Sequence, residues 1–131
     1  MDLYFLDAGI GTEGLLWLAG IYLLSVTVAE WFVLMFFNLG NPGRLLLHSF
    51  IVNLASALVG YVIADPLDSI IKHDPGGIIT WVIFFIITVL IEGSLLQILN
   101  RQQPAKRIWM AAIIMNIVTY VALFFLTGHG E

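Results

Sequence analysis

The sequence predicts an all-α polytopic membrane protein, four transmembrane helices arranged as two tandem parallel-repeat hairpins. The first observation behind this is compositional. Of 131 residues, 60% are hydrophobic and only 11% are charged, with a mean hydropathy of +1.00. A soluble domain carries roughly 25% charged residues. The second is four apolar runs, each near the ~20 residues needed to cross a bilayer. The third is a pattern of polar residues that occurs twice, in register, inside those runs.

The chain opens with MDLYFLDAGIGTEG, which carries Asp2, Asp7 and Glu13 and no Lys or Arg. A signal peptide needs a positive start and a short apolar core. This segment therefore reads as a short tail entering a retained first helix, about 14–37. Gly40-Asn41-Pro42-Gly43 supplies the first turn, because Pro restricts the residue before it and Gly permits the reversal. The second helix is expected at about 44–64. A middle loop follows, bracketed by Asp65-Pro66 and Asp74-Pro75-Gly76-Gly77. The third helix is expected at about 77–99, the second turn at Arg101-Gln102-Gln103-Pro104, and the fourth helix at about 107–127. Residues 1–131 thus form a single transmembrane domain.

The expected repeats span 14–64 and 76–127. Glu30, Asn38 and Pro42 precede Glu92, Asn100 and Pro104 by 62 positions. Arg44, Asn53 and Ser56 precede Arg107, Asn116 and Thr119 by 63. Two helices per half insert both halves the same way, which makes the repeats parallel. Orientation follows from Lys and Arg. Arg44, Arg101, Lys106 and Arg107 flank the two hairpin turns with no acid among them. Asp2, Asp7, Glu13, Asp65, Asp68, Asp74 and Glu131 gather at the other end with one base, Lys72. The hairpin turns are therefore expected in the cytoplasm, and both termini on the non-cytoplasmic side.

The candidate site is a polar layer of Glu30, Glu92, Asn53, Asn116, Ser56 and Thr119. A carboxylate within a transmembrane segment is costly and points to function by default. At 1.5 Å rise per residue, Glu30 lies roughly 12 Å from Asn38, and Asn53 roughly 13 Å from Arg44. Glu92 and Asn116 stand at the same two depths in the second hairpin. Each Glu is therefore level with the Asn of its antiparallel neighbour. On the second helix Ser49, Asn53, Ser56 or Ala57, Gly60 and Ala64 form a small-residue stripe of the kind that lets membrane helices approach closely. Ala112, Asn116 and Thr119 continue the stripe on the fourth helix, which then turns bulky.

This layer suggests a non-enzymatic scaffold or accessory subunit. A neutral carboxyl is far cheaper in hydrocarbon than a charged one, and a neutral Glu and an Asn can clamp two hairpins. The alternative is a proton- or cation-coupled transporter or channel using Glu30 and Glu92 and working as an oligomer. Membrane lipids, a homo-oligomer or a larger membrane complex are the expected partners; nucleic acid is not.

No catalytic residue, cofactor or metal is expected. The chain has no cysteine, which excludes a disulfide framework, an iron–sulfur cluster and a Cys-based zinc site. His48 has Ala111 at the equivalent position, so it reads as an interfacial hydrogen bonder. Haem would need a further ligand in register, and Met35, Met110 and Met115 read as packing residues. Asp65, Asp68, His73 and Asp74 read as a solvated acidic loop, with Ile70 and Ile71 dipping into the interface. Trp17, Trp81 and Trp109 fall near helix ends, where aromatic belts form, and Trp31 is expected to face lipid or a partner chain.

Overall fold

A computed structural model describes residues 11–70 and 77–127. Among them are four helices: α1 (Thr12–Phe36), α2 (Pro42–Ile70), α3 (Ile78–Leu99) and α4 (Ala105–Thr127). All four are long and apolar enough to cross a membrane. The expected features of Asp2, Asp7, Ile71, Lys72, His73, Asp74 and Glu131 lie outside the described residues, as do the side chains of Asp68 and Ile70.

Each helix is apolar around its whole circumference, as a helix solvated by lipid must be. Leu16, Trp17, Phe36, Tyr61, Ile78 and Phe125 all point outward. The polar side chains Thr27, Glu30, Ser49, Asn53, Glu92, Asn116 and Thr119 point inward. The helices pack as a ring, α1 on α2, α2 on α3, α3 on α4 and α4 on α1.

The first turn is closed by a left-handed cap. Asn38 sits at φ 56, a conformation that Asn tolerates better than most non-glycine residues. Its N–H donates to Met35 O at 2.9 Å and that of Leu39 to Leu34 O at 3.5 Å. These two bonds form a Schellman motif. Leu34 and Leu39, the apolar pair that accompanies it, are both fully buried. Asn41 then opens α2 by accepting from the Gly43 N–H at 3.0 Å. Pro42 occupies the first helical position, where a missing N–H costs nothing. The second turn is built differently. Asn100 N–H and Asn100 Nδ2 both donate to Leu96 O, at 2.9 and 3.0 Å.

The helix α2 runs past its expected end at 64 and through Pro66 to Ile70. Proline inside a helix removes one backbone hydrogen bond. Here it stands at the last turns of a span, where freed carbonyls can meet water. Ser69 Oγ donates back to Pro66 O at 2.7 Å. Asp65 thus lies within the helix rather than at the start of a loop.

Packing is uneven along the bundle axis. Leu34, Leu39, Leu45, Leu96, Ile108 and Met115 are fully buried in one cluster, and all lie between the carboxylates and the hairpin turns. Trp31 packs against this cluster, and its indole N–H donates to Pro42 O at 2.8 Å. It is half-buried and hydrogen-bonded within the hairpin. A Cβ on Gly93 would lie 2.5 Å from the Trp109 ring, so that indole packs against α3. Trp17 is 75% exposed.

Candidate functional site: a carboxylate-floored cavity

Glu30 on α1 and Glu92 on α3 both point into the bundle, each only 1% exposed. Asn53 Nδ2 donates to Glu30 Oε2 at 2.5 Å, and Asn116 Nδ2 donates to Glu92 Oε2 at 2.7 Å. Each amide also donates one turn back along its own helix, Asn53 to Ser49 O at 3.0 Å and Asn116 to Ala112 O at 2.9 Å. That second bond holds the amide rigid. The carboxyl therefore meets a donor whose position the helix backbone fixes.

A hydroxyl ties the hairpins to one another. Thr119 Oγ1 on α4 donates to Glu30 Oε1 on α1 at 3.1 Å. Glu30 thus has one partner in its own hairpin and one in the other. Glu30, Glu92, Asn53, Asn116, Ser56 and Thr119, the six residues singled out in the sequence, line one cavity. A further bond, from Ser49 Oγ to Thr27 O at 2.9 Å, joins α1 and α2 just below it.

Above the network, on the side away from the hairpin turns, the helices line a half-open cavity of about 440 Å³. Its floor is Glu30, Asn53, Glu92 and Asn116, and all four helices contribute to its wall. One side is lined by small residues, Gly20, Ala57 and Gly60. The other carries Phe84, Thr88, Tyr120 and Leu123. Tyr120 OH lies 3.1 Å from Thr88 Oγ1. Its ring meets Trp81 and Phe85 edge-on, with centroids 5.9 and 5.3 Å away.

The small-residue stripe of α2 therefore does not bring helices together over its whole length. Ser49 and Asn53 are buried in the packed half. A Cβ on Gly60 or on Gly20 would meet nothing within 4 Å. In that half the stripe is the wall of a space. The bulky residues of α4 occupy the opposite side, where edge-on aromatic rings hold Tyr120 in place.

Sequence reasoning missed the hydroxyl bond from Thr119 to Glu30 between the hairpins and the aromatic wall. A signal for the wall was present: Tyr22 and Val26 precede Glu30 by eight and four residues, and Phe84 and Thr88 precede Glu92 by the same intervals. These spacings share a helix face, and all four residues line the cavity.

His48 is buried, and its Nδ1 has no partner. Asn100 beside it has an unpartnered Oδ1. His48 is not part of the carboxylate network and lies on its turn side. Among the described residues no group of three or more His, Cys, Asp or Glu is placed to hold a metal.

No known protein family, curated protein or solved structure matches the chain.

Proposed function

We propose that the protein is a carboxylate-based membrane transporter, with Glu30 and Glu92 exchanging protons or binding a cation. The observation that carries this reading is that both carboxyls floor one cavity shared by all four helices. Two glutamates serving only as a clamp need no space above them. A transporter needs a chamber reaching its charged groups and a seal beyond them. The packed apolar cluster from Leu34 to Met115 supplies such a seal. Thr119 and Asn116, one turn apart on α4, donate to Glu30 and Glu92 respectively, so a change of charge on one carboxyl acts on the helix that holds the other.

The same reading takes the hairpins as tandem repeats with their turns in the cytoplasm and both termini outside. It takes the working unit as an oligomer or part of a larger membrane complex, since four helices make a narrow bundle. A second reading, a non-enzymatic scaffold or accessory subunit, is favoured by one observation. Each carboxyl already accepts a hydrogen bond from an Asn on the next helix, which is sufficient to set the register of a hairpin.

Flux in liposomes separates the two. Purified protein is reconstituted and proton and alkali-cation flux is measured at several pH values, beside Glu30→Gln and Glu92→Gln. Gln keeps hydrogen-bonding capacity and loses the ionisable group. Transport predicts flux in the parent and its loss in both variants, with detergent stability and helix content retained. No flux in the parent, or flux in both variants unchanged from the parent, rejects the transport reading in favour of the scaffold.

A further inference from the structure

We infer that the cavity takes one amphipathic organic cation, its charge against Glu30 and Glu92 and its apolar body between the aromatic wall and the small-residue wall. This rests on the transport reading for its site and goes beyond it in naming the substrate class.

The first argument is size. A volume of about 440 Å³ falls within the range of roughly 300–1,000 Å³ typical of small-molecule sites. Bulk water takes about 30 Å³ per molecule. A bare alkali ion or a proton therefore occupies a small part of this space.

The second is the distribution of chemistry. The ionisable floor groups are two carboxyls with no cationic residue in the lining. Asn53, Asn116 and Thr119 direct donors at the carboxyl oxygens. They are engaged with the floor, which leaves them poorly placed to assemble the ring of oxygens that a dehydrated inorganic cation requires. Above the floor the lining is apolar and aromatic, with Tyr22, Phe84 and Tyr120. An aromatic face attracts an organic cation, more strongly when water is excluded.

The third is asymmetry. Tyr120 is fixed by Thr88, Trp81 and Phe85, whereas Ala57 and Gly60 opposite it leave the space open. A rigid aromatic surface facing a shallow wall accommodates a flat or branched apolar group and leaves its charged end directed at the floor.

The test uses the full chain in detergent, with radiolabelled benzyltrimethylammonium as probe. Competitors are its uncharged isostere neopentylbenzene, and sodium and potassium at matched ionic strength. Saturable binding at one probe per chain or per dimer is expected, weakened about tenfold or more by Glu92→Gln and by Ala57→Phe. Phe at position 57 fills the open wall and touches no carboxyl. Leu58→Phe, on the neighbouring exposed position, should bind as the parent does. If Ala57→Phe does not fold, Gly60→Leu fills the same wall from a glycine whose Cβ has free space. The inference is overturned by an absence of saturable binding to folded protein, by equal competition from neopentylbenzene, by displacement by sodium or potassium at probe-like concentrations, or by unchanged binding in the wall-filling variant. Carboxylate-dependent proton flux without probe binding would overturn this inference alone. Probe binding without any flux would overturn transport and leave the site standing.

Discussion

Thr119, near the end of the chain, donates a hydrogen bond to Glu30, 89 positions earlier, and so closes the helix ring between α4 and α1. Thr119→Val keeps the shape and removes the donor. Interhelical side-chain bonds in membranes average ~0.6 kcal/mol and reach ~1.7. A loss in that range is expected in reversible unfolding by a denaturing detergent. The double variant Thr119→Val/Glu30→Ala should be less destabilised than the sum of the singles, because both remove the same bond. Strict additivity in that cycle would mean that the pair does not interact.

Gly93, one residue after Glu92, is where α3 receives the Trp109 ring. A Cβ there would stand 2.5 Å from one ring atom and 2.7 Å from another. Gly93→Ala therefore has to displace a large rigid side chain, and overpacking of this kind costs about 1–3 kcal/mol. A shift in tryptophan emission should accompany the loss. Gly60→Ala meets open space and should leave stability within about 0.5 kcal/mol of the parent. Similar stability of the two variants would show that α3 and α4 are further apart than described here.

The turn after α1 depends on a left-handed residue at Asn38. Asn38→Gly should be neutral or slightly stabilising, since glycine adopts this conformation without a Cβ penalty. Asn38→Val should cost about 1–3 kcal/mol, because a β-branched residue is strained there. Asn100 closes its own turn at φ −125, so Asn100→Gly lacks the compensating gain. Thermal unfolding in detergent reads the contrast, and equal effects of Gly at 38 and 100 would contradict it.

The lack of cysteine makes the chain a clean background for sidedness. Gly43→Cys and Gln102→Cys mark the hairpin turns, and Gly11→Cys marks the opposite end. With the basic turns in the cytoplasm, an impermeant maleimide added to intact cells should label only the variant at 11. Cell lysis should expose 43 and 102. Labelling of 43 or 102 in intact cells would invert the expected orientation.

Much of this architecture was legible in the sequence because lipid imposes a simple rule. A span must be apolar for about 20 residues, and an interruption by Pro, Gly and Asn stands out against it. The Glu–Asn contacts were legible for a related reason. Antiparallel neighbours at 1.5 Å per residue bring Glu30 level with Asn53 by counting alone. The crossing bond from Thr119 was not, because it depends on which helices adjoin in the ring and how each is rotated. The end of α2 was misjudged for a local reason. Pro66 reads as a breaker in sequence, yet it is tolerated in the last turns of a helix near water. The cavity was hidden by an ambiguity in small residues. Gly60 and Ala57 suit close helix contact and an open wall equally well, and only the placement of Tyr120 and Leu123 opposite decides between them.

The apolar cluster between the carboxylates and the hairpin turns has an electrical consequence. A continuous conducting pathway along the axis would have to pass Leu34, Leu96 and Met115, all without exposed surface. Ions cannot stream through such a section at rest. Passage requires the packed ends of the helices to part, and collective rearrangements of that size take microseconds to milliseconds. In a planar bilayer under voltage clamp the protein in this state should therefore show no unitary current steps, and its presence should leave the resting conductance of the membrane unchanged.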